Sequence, residues 1–391
     1  MKTANRKQVI DKVIEGFIKS DQFNSIEWRV ERNGLNFSSG FQSQNIIPHK
    51  EKGMIYRIYS MTKPIIAVAA IKALEQGMLR LYDPVYKYFD CFKSLMVLTS
   101  SGKLEHAKTL ISIEQLLTHK SGLSYGFEAG CPVGNLYARA KLLHRSDLDL
   151  KEFIREISKF PLAFHPGEGW RYSVSTDVLA GVLEIVYQRP ICQILQETVF
   201  EPLDMKETKF FVDEKDSHRL IEIYGDDNID STAIFRDRTN KLIKSNVEDF
   251  YPSGRLKAKP RGGHGLFSTV EDYNKFVSML CTGLDKSGNR FISEKMMEFA
   301  LINRVDKENL PLVIDTFELP GYGFNLIGRV MVDQSKALSL TGKNEFGWSG
   351  AGSTYFWVDR EESLTGIIMA QYLWSKIPFA EEIKAAVYQA L

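Results

Sequence analysis

Apolar positions near the N-terminus recur at helical spacing: Val9, Ile10, Val13, Ile14, Phe17 and Ile18 predict one amphipathic helix. The period then drops to two. Ile26-Glu-Trp-Arg-Val30, a turn at Asn33-Gly34 and Leu35-Asn-Phe37 predict an antiparallel hairpin. A short β-like run, Met54 to Tyr59, leads into Ser60, and a long apolar helix follows from Pro64 to Gly77. From Asp83 to about Ala180 the periodicity is mostly helical, as in Ile113 to Thr118, Leu150 to Lys159 and Thr176 to Tyr187, with loops rich in Gly, Pro and Ser between. Residues 225–260 are polar and irregular, and a loop this long in a compact region predicts a lid or binding loop. Strands return at Gly323 to Val332, Thr354 to Val358 and Leu364 to Gln371, and a helix from Phe379 to Leu391 closes the chain. Strands at both ends with helices between predict an α+β protein. Its sheet domain is discontinuous (1–85 and 255–391), with a mainly helical domain (86–254) inserted.

Composition narrows the function classes. The 391 residues are 44% hydrophobic and 25% charged, ordinary globular usage, and a net charge of +1 gives no electrostatic footprint for nucleic acid or an anionic membrane. No apolar run approaches a membrane span, and the N-terminus lacks the apolar core and cleavage site of a signal peptide, so a cytoplasmic location is expected. Cys91, Cys131, Cys192 and Cys281 are scattered, which predicts reduced thiols, and the seven histidines form no ligand pair, so neither a metal nor a cofactor is expected.

The candidate chemistry starts at Ser60-Met-Thr-Lys63. A serine at a strand-to-helix junction sits where the unpaired N–H groups of the first helical turn point outward. A lysine three positions on shares its face and can take the hydroxyl proton, the S-x-x-K arrangement of an acyl-transfer nucleophile. The same spacing at Ser100-Ser-Gly-Lys103 falls in a turn and predicts nothing. A second proton handler is available at Tyr172, on the loop between Pro166-Gly-Glu-Gly169 and the next helix. Gly347-Trp-Ser-Gly-Ala-Gly352, running into a strand, can bring backbone N–H groups close to a substrate oxyanion.

With these motifs in order, Ser60-Met-Thr-Lys63, Tyr172-Ser-Val174 and Trp348-Ser-Gly350, the chain resembles the serine β-lactamase and penicillin-binding-protein superfamily. The class C β-lactamase-like branch and the family VIII carboxylesterases are the most similar. Leu116-Leu-Thr-His-Lys-Ser-Gly-Leu123, Pro166-Gly-Glu-Gly-Trp-Arg-Tyr-Ser173, Pro202-Leu-Asp-Met-Lys-Glu-Thr208 and Gly262-Gly-His-Gly-Leu-Phe-Ser268 add to the likeness, which spans roughly residues 10–391. The resemblance implies a β-lactamase/transpeptidase-like fold. It also implies Ser60 as nucleophile, Lys63 and Tyr172 as proton handlers, and an oxyanion hole at the N–H groups of Ser60 and Ala351. Two positions depart from the β-lactamase pattern: Val174 stands where a polar residue holds the substrate amide, and Trp348 where a lysine pairs with the β-lactam carboxylate. Both resemble the esterase branch and imply a small-molecule ester substrate, a β-lactam being the weaker candidate. An acyltransferase, a β-lactamase or D-amino-acid peptidase, and a catalytically silent scaffold are the alternatives, the last disfavoured by the intact Ser60, Lys63 and Tyr172.

Three further motifs do not fit their context. Gly122-Leu-Ser124-Tyr-Gly126 matches G-x-S-x-G but lacks the preceding strand and following helix that a nucleophile elbow requires. Lys120-Ser-Gly122 precedes Tyr172, out of family order, and Lys286-Ser-Gly288 sits in a polar turn.

Overall fold

The computed structural model describes residues 3–45, 53–128, 130–225, 242–257 and 259–391. Its centre is a seven-stranded antiparallel sheet in the order Tyr322–Phe324, Arg329–Met331, Phe346–Gly350, Thr354–Asp359, Leu364–Met369, Ser25–Arg32, Leu35–Ser43. The two-residue side-chain period of a strand sorts its apolar residues into two cores. Trp28, Val30, Tyr355, Trp357 and Ile368 face the N-terminal helix Thr3–Lys19 and the C-terminal helix Phe379–Ala390. Phe346, Trp348, Phe356, Val358 and Ile367 face the opposite core, against helices Val270–Thr282 and Thr62–Glu75. The Thr62–Glu75 helix is buried nearly all round, from Thr62 to Ile71, as expected of a helix with no polar stripe.

The helical layer lies over this second core. Its helices begin where the sequence supplies caps: Ser112 with Gln115 before Ile113–Leu117, and Asp149 with Glu152 before Leu150–Ile157, each a reciprocal capping box. Ser175–Tyr187 has no side-chain cap and is held by burial of Val178, Leu179, Val182 and Leu183. No single helix among the described residues is long and apolar enough to cross a membrane.

The structure corrects several expected boundaries. The run before Ser60 is a strand only at Tyr56–Arg57, paired with Phe267–Ser268, and the helix starts at Thr62. The predicted strand from Gly323 to Val332 is a hairpin. The Asn325 side chain accepts hydrogen bonds from the N–H groups of Ile327 and Gly328 and folds the chain back between its two halves. Phe346–Gly350 is itself a strand, and a small hairpin, Leu312–Ile314 with Phe317–Leu319, interrupts the C-terminal third. Within the mostly helical stretch, Met96–Leu98 pairs with Leu104–His106, and Ser100 and Lys103 occupy the turn between. Of the segment read as a lid, residues 226–241 and 258 lie outside the described residues.

Candidate active site

Ser60 sits in a single 3₁₀ turn, Tyr59–Met61, immediately before the buried helix. Tyr59 has φ of +43°, a left-handed conformation costly for a residue with a Cβ. With Tyr59 and Met61 both packed inward, the turn leaves Ser60 half-buried at the floor of a cleft. Strand Phe346–Gly350 runs beside this turn. A Cβ on Gly350 would stand 2.4 Å from the Ile58 carbonyl oxygen and 2.4 Å from Thr354 Oγ1, so only glycine allows this approach. The neighbouring strand pairs with Phe346 and Gly347 alone, which leaves Trp348 to Gly350 open along one edge toward the cleft.

Lys63, one helical turn on, is buried; its Nζ lies 3.3 Å from Ser60 Oγ and donates to the Gly263 carbonyl at 2.7 Å. The rings of Tyr172 and Tyr125 flank it, with centroids 4.6 and 5.0 Å from Nζ. Burial pushes the Lys63 ammonium down to about 7, with attraction to Asp177 acting in the opposite direction. The Tyr172 hydroxyl hydrogen-bonds Ser60 and accepts from the Trp348 indole N–H at 3.4 Å, while burial pushes its pKa up and keeps it protonated. The structure therefore brings Ser60, Lys63, Tyr172 and Trp348 into one hydrogen-bonded group, with Ser349, Gly350 and Ala351 on the adjacent wall.

The cleft opens into a cavity of about 260 Å³. Phe127, Leu143, Phe250, Ile314, Phe317 and Trp374 give it an apolar wall. Val174 is not part of that wall; it is buried as the residue preceding helix Ser175–Tyr187. Ser173 also points away from the cleft. It joins His119, Ser175 and Ser121 in a buried chain of hydroxyl and imidazole hydrogen bonds of 2.7–3.1 Å. Burial holds His119 well below the usual imidazole range, so it packs as a neutral ring 4.9 Å from Tyr172.

The misplaced motifs are accounted for. Ser124 is fully buried and donates to its neighbour's carbonyl, Tyr125 O, at 3.2 Å. Lys120 is ion-paired with Asp306 and Lys286 with Asp204, neither beside Ser60. Among the described residues no cluster of His, Cys, Asp and Glu could hold a metal ion. Sequence reasoning missed Gly263, Tyr125 and Asp177. Gly263 and Tyr125 were read as landmark and elbow residues, while Asp177 carried a weak signal of its own: the one charged residue between Val174 and Leu183, directly before the apolar run Val178 to Leu183.

A family model described as Beta-lactamase matches residues 10–383. The chain belongs to the Beta-lactamase family. At that coarse level it is a serine hydrolase of the β-lactamase and penicillin-binding-protein superfamily, with esterases among its relatives. Protein Rv1367c of Mycobacterium tuberculosis is 29% identical over 330 residues, 82% of this chain and 78% of the relative. Esterase EstB of Burkholderia gladioli is 26% identical over 344 residues, covering 85% and 82%. The solved structure of EstCE1, a hydrolase with promiscuous acyltransferase activity, superposes with a TM-score of 0.80 at 21% identity over 98% of this chain and 99% of that one, which establishes the shared fold.

Proposed function

We propose that the protein hydrolyses small, uncharged carboxylic esters through an acyl-enzyme on Ser60. The observation that carries this reading is the hydrogen-bonded group of Ser60, Lys63, Tyr172 and Trp348 at the mouth of an apolar cavity. Likeness to EstB supports it.

In the acylation step Ser60 Oγ bonds to the ester carbonyl carbon as its proton passes to neutral Lys63. The oxyanion is stabilised by the N–H groups of Ser60 and Ala351, at the end of the open strand edge. As the C–O bond to the alcohol breaks, Tyr172 gives its proton to the departing alkoxide and takes one from the Lys63 ammonium. Both groups are then neutral again. Deacylation runs the same proton path in reverse, with water as nucleophile. An apolar cavity also admits an alcohol in place of water, so acyl transfer is the second reading.

Trp348 supplies a neutral indole N–H where β-lactamases of the superfamily have a cation, so an anionic β-lactam loses the charge partner at that position. A lost charge-assisted contact in a desolvated site removes about 1.5–3 kcal/mol, or roughly one to two decades of rate. Steady-state kinetics on p-nitrophenyl butyrate and a chromogenic cephalosporin test this directly. The ester should be favoured by at least about tenfold in kcat/KM. Equal or better turnover of the cephalosporin contradicts the esterase reading, and product partitioning in the presence of a primary alcohol measures acyl transfer.

A further inference from the structure

Asp177 has no place in that proton path, yet it is buried to 1% exposure a few ångströms from it. Its Oδ1 accepts the Gly263 N–H at 2.9 Å, and the carbonyl of the same residue accepts Lys63 Nζ at 2.7 Å. One glycine thus joins a carboxylate on helix Ser175–Tyr187 to the lysine on helix Thr62–Glu75. The link is tightly fitted: a Cβ on Gly263 would stand 2.5 Å from Asp177 Oδ2 and 2.6 Å from the Tyr125 hydroxyl, and one on Gly262 would stand 2.0 Å from the Thr176 carbonyl oxygen. A carboxylate in an apolar core is costly unless a charge nearby requires it.

We propose that Asp177 is a positioning residue for Lys63, acting through the Gly263 peptide and supplying the counter-charge for the ammonium that forms when Lys63 takes the serine proton. The inference rests on the reading of Ser60 and Lys63 as nucleophile and base. Before acylation Lys63 is a neutral amine. At the transition state a positive charge develops inside the protein, where opposite charges interact far more strongly than in water. The remaining groups facing this pair are Arg261, which also attracts Asp177, and His119 and His264, both held neutral by burial. Tyr125, Tyr172 and, farther off, Glu128 complete the surroundings. Asp177 is the acidic group that acts on Lys63 directly, and the peptide between them fixes where Nζ sits relative to Ser60.

Asp177→Asn tests this, because the amide oxygen can still accept the Gly263 N–H while the charge is gone. Lysine labelled with ¹³C at Cε, with the Lys63 signal assigned by its loss in Lys63→Met, reads the titration of Lys63 without any substrate. In Asp177→Asn that titration should move down by about one pH unit or more. The rate of Ser60 labelling by a fluorophosphonate, taken at its alkaline plateau, should fall at least about tenfold. Asp177→Ser, smaller and equally uncharged, should give the same two shifts, and thermal melts establish that each variant is folded. A folded variant with an unmoved Lys63 titration overturns the proposal and leaves Asp177 as packing. Failure of the wild type to label at Ser60 overturns the nucleophile reading and this inference with it. Labelling at Ser60 without ester turnover contradicts the substrate reading alone.

Discussion

Replacing Lys63 with methionine keeps the length of the side chain and removes its titration. Lys63 is buried, and its folded-state pKa is about 7 against 10.5 for a free lysine. Between those two values the unfolded chain holds a proton that the folded chain lacks. Burying Lys63 therefore costs stability in full below the window, and the cost fades as the pH rises through it. Each pH unit of separation is worth roughly 1.4 kcal/mol. At pH 6 nearly all of the separation counts against the wild type, whereas at pH 9 more than half has gone. Lys63→Met lacks this dependence, so its stability relative to the wild type should fall by roughly 2–3 kcal/mol between pH 6 and pH 9. Asp177, losing its cation, would retain a proton to higher pH in the folded variant, which acts in the same direction. The offset between the two proteins depends on how the methionine packs, while the pH slope depends on the titrations of Lys63 and, in the same direction, Asp177. Paired thermal melts at the two pH values should show the gap in melting temperature changing by roughly 2–4 °C. Parallel behaviour of wild type and variant would refute the claim that Lys63 is held neutral by the fold.

Lys63→Ala and Tyr172→Phe should each lower kcat by about 100-fold or more on p-nitrophenyl butyrate, since each removes a general acid–base group. The double variant should be little worse than the poorer single one, because the two share a proton path; fully multiplicative losses would argue for independent roles. Gly350→Ala should reduce kcat and melting temperature together, as its methyl group must displace the Ile58 carbonyl next to the nucleophile turn; unchanged kinetics would mean the strand does not set the oxyanion geometry. Ser124→Ala should leave turnover and Ser60 labelling intact, since that hydroxyl is sealed in the core.

Much of this arrangement was legible because it is local. The S-x-x-K turn, the helices Ile113–Leu117 and Leu150–Ile157 and the short apolar strand Thr354–Asp359 are each written within a few residues, where the side-chain pattern suffices. The α+β class and the antiparallel sheet followed from the order of those elements. What escaped depends on residues far apart in the chain. The Gly263 peptide meets Lys63 across 200 positions and Asp177 across 86, and nothing in either local sequence announces the meeting. The predicted strand ending at Val332 was misjudged for a local reason: the apolar run Leu326-Ile327 masks the turn that the Asn325 side chain imposes. Val174 was expected beside the substrate, at the position that holds its amide in β-lactamases, but as the residue preceding helix Ser175–Tyr187 it turns into the core, and the apolar wall comes from side chains such as Phe317 on a hairpin that the sequence pattern did not reveal.

The central claim is that Ser60 is the nucleophile. Treating the folded protein with a fluorophosphonate and sequencing its peptides by mass spectrometry measures this most directly. The account predicts one stoichiometric adduct on the peptide carrying Ser60, lost in Ser60→Ala and suppressed at pH 5, where Lys63 is protonated. An adduct on Ser124 or another serine, with Ser60 unmodified, would contradict it.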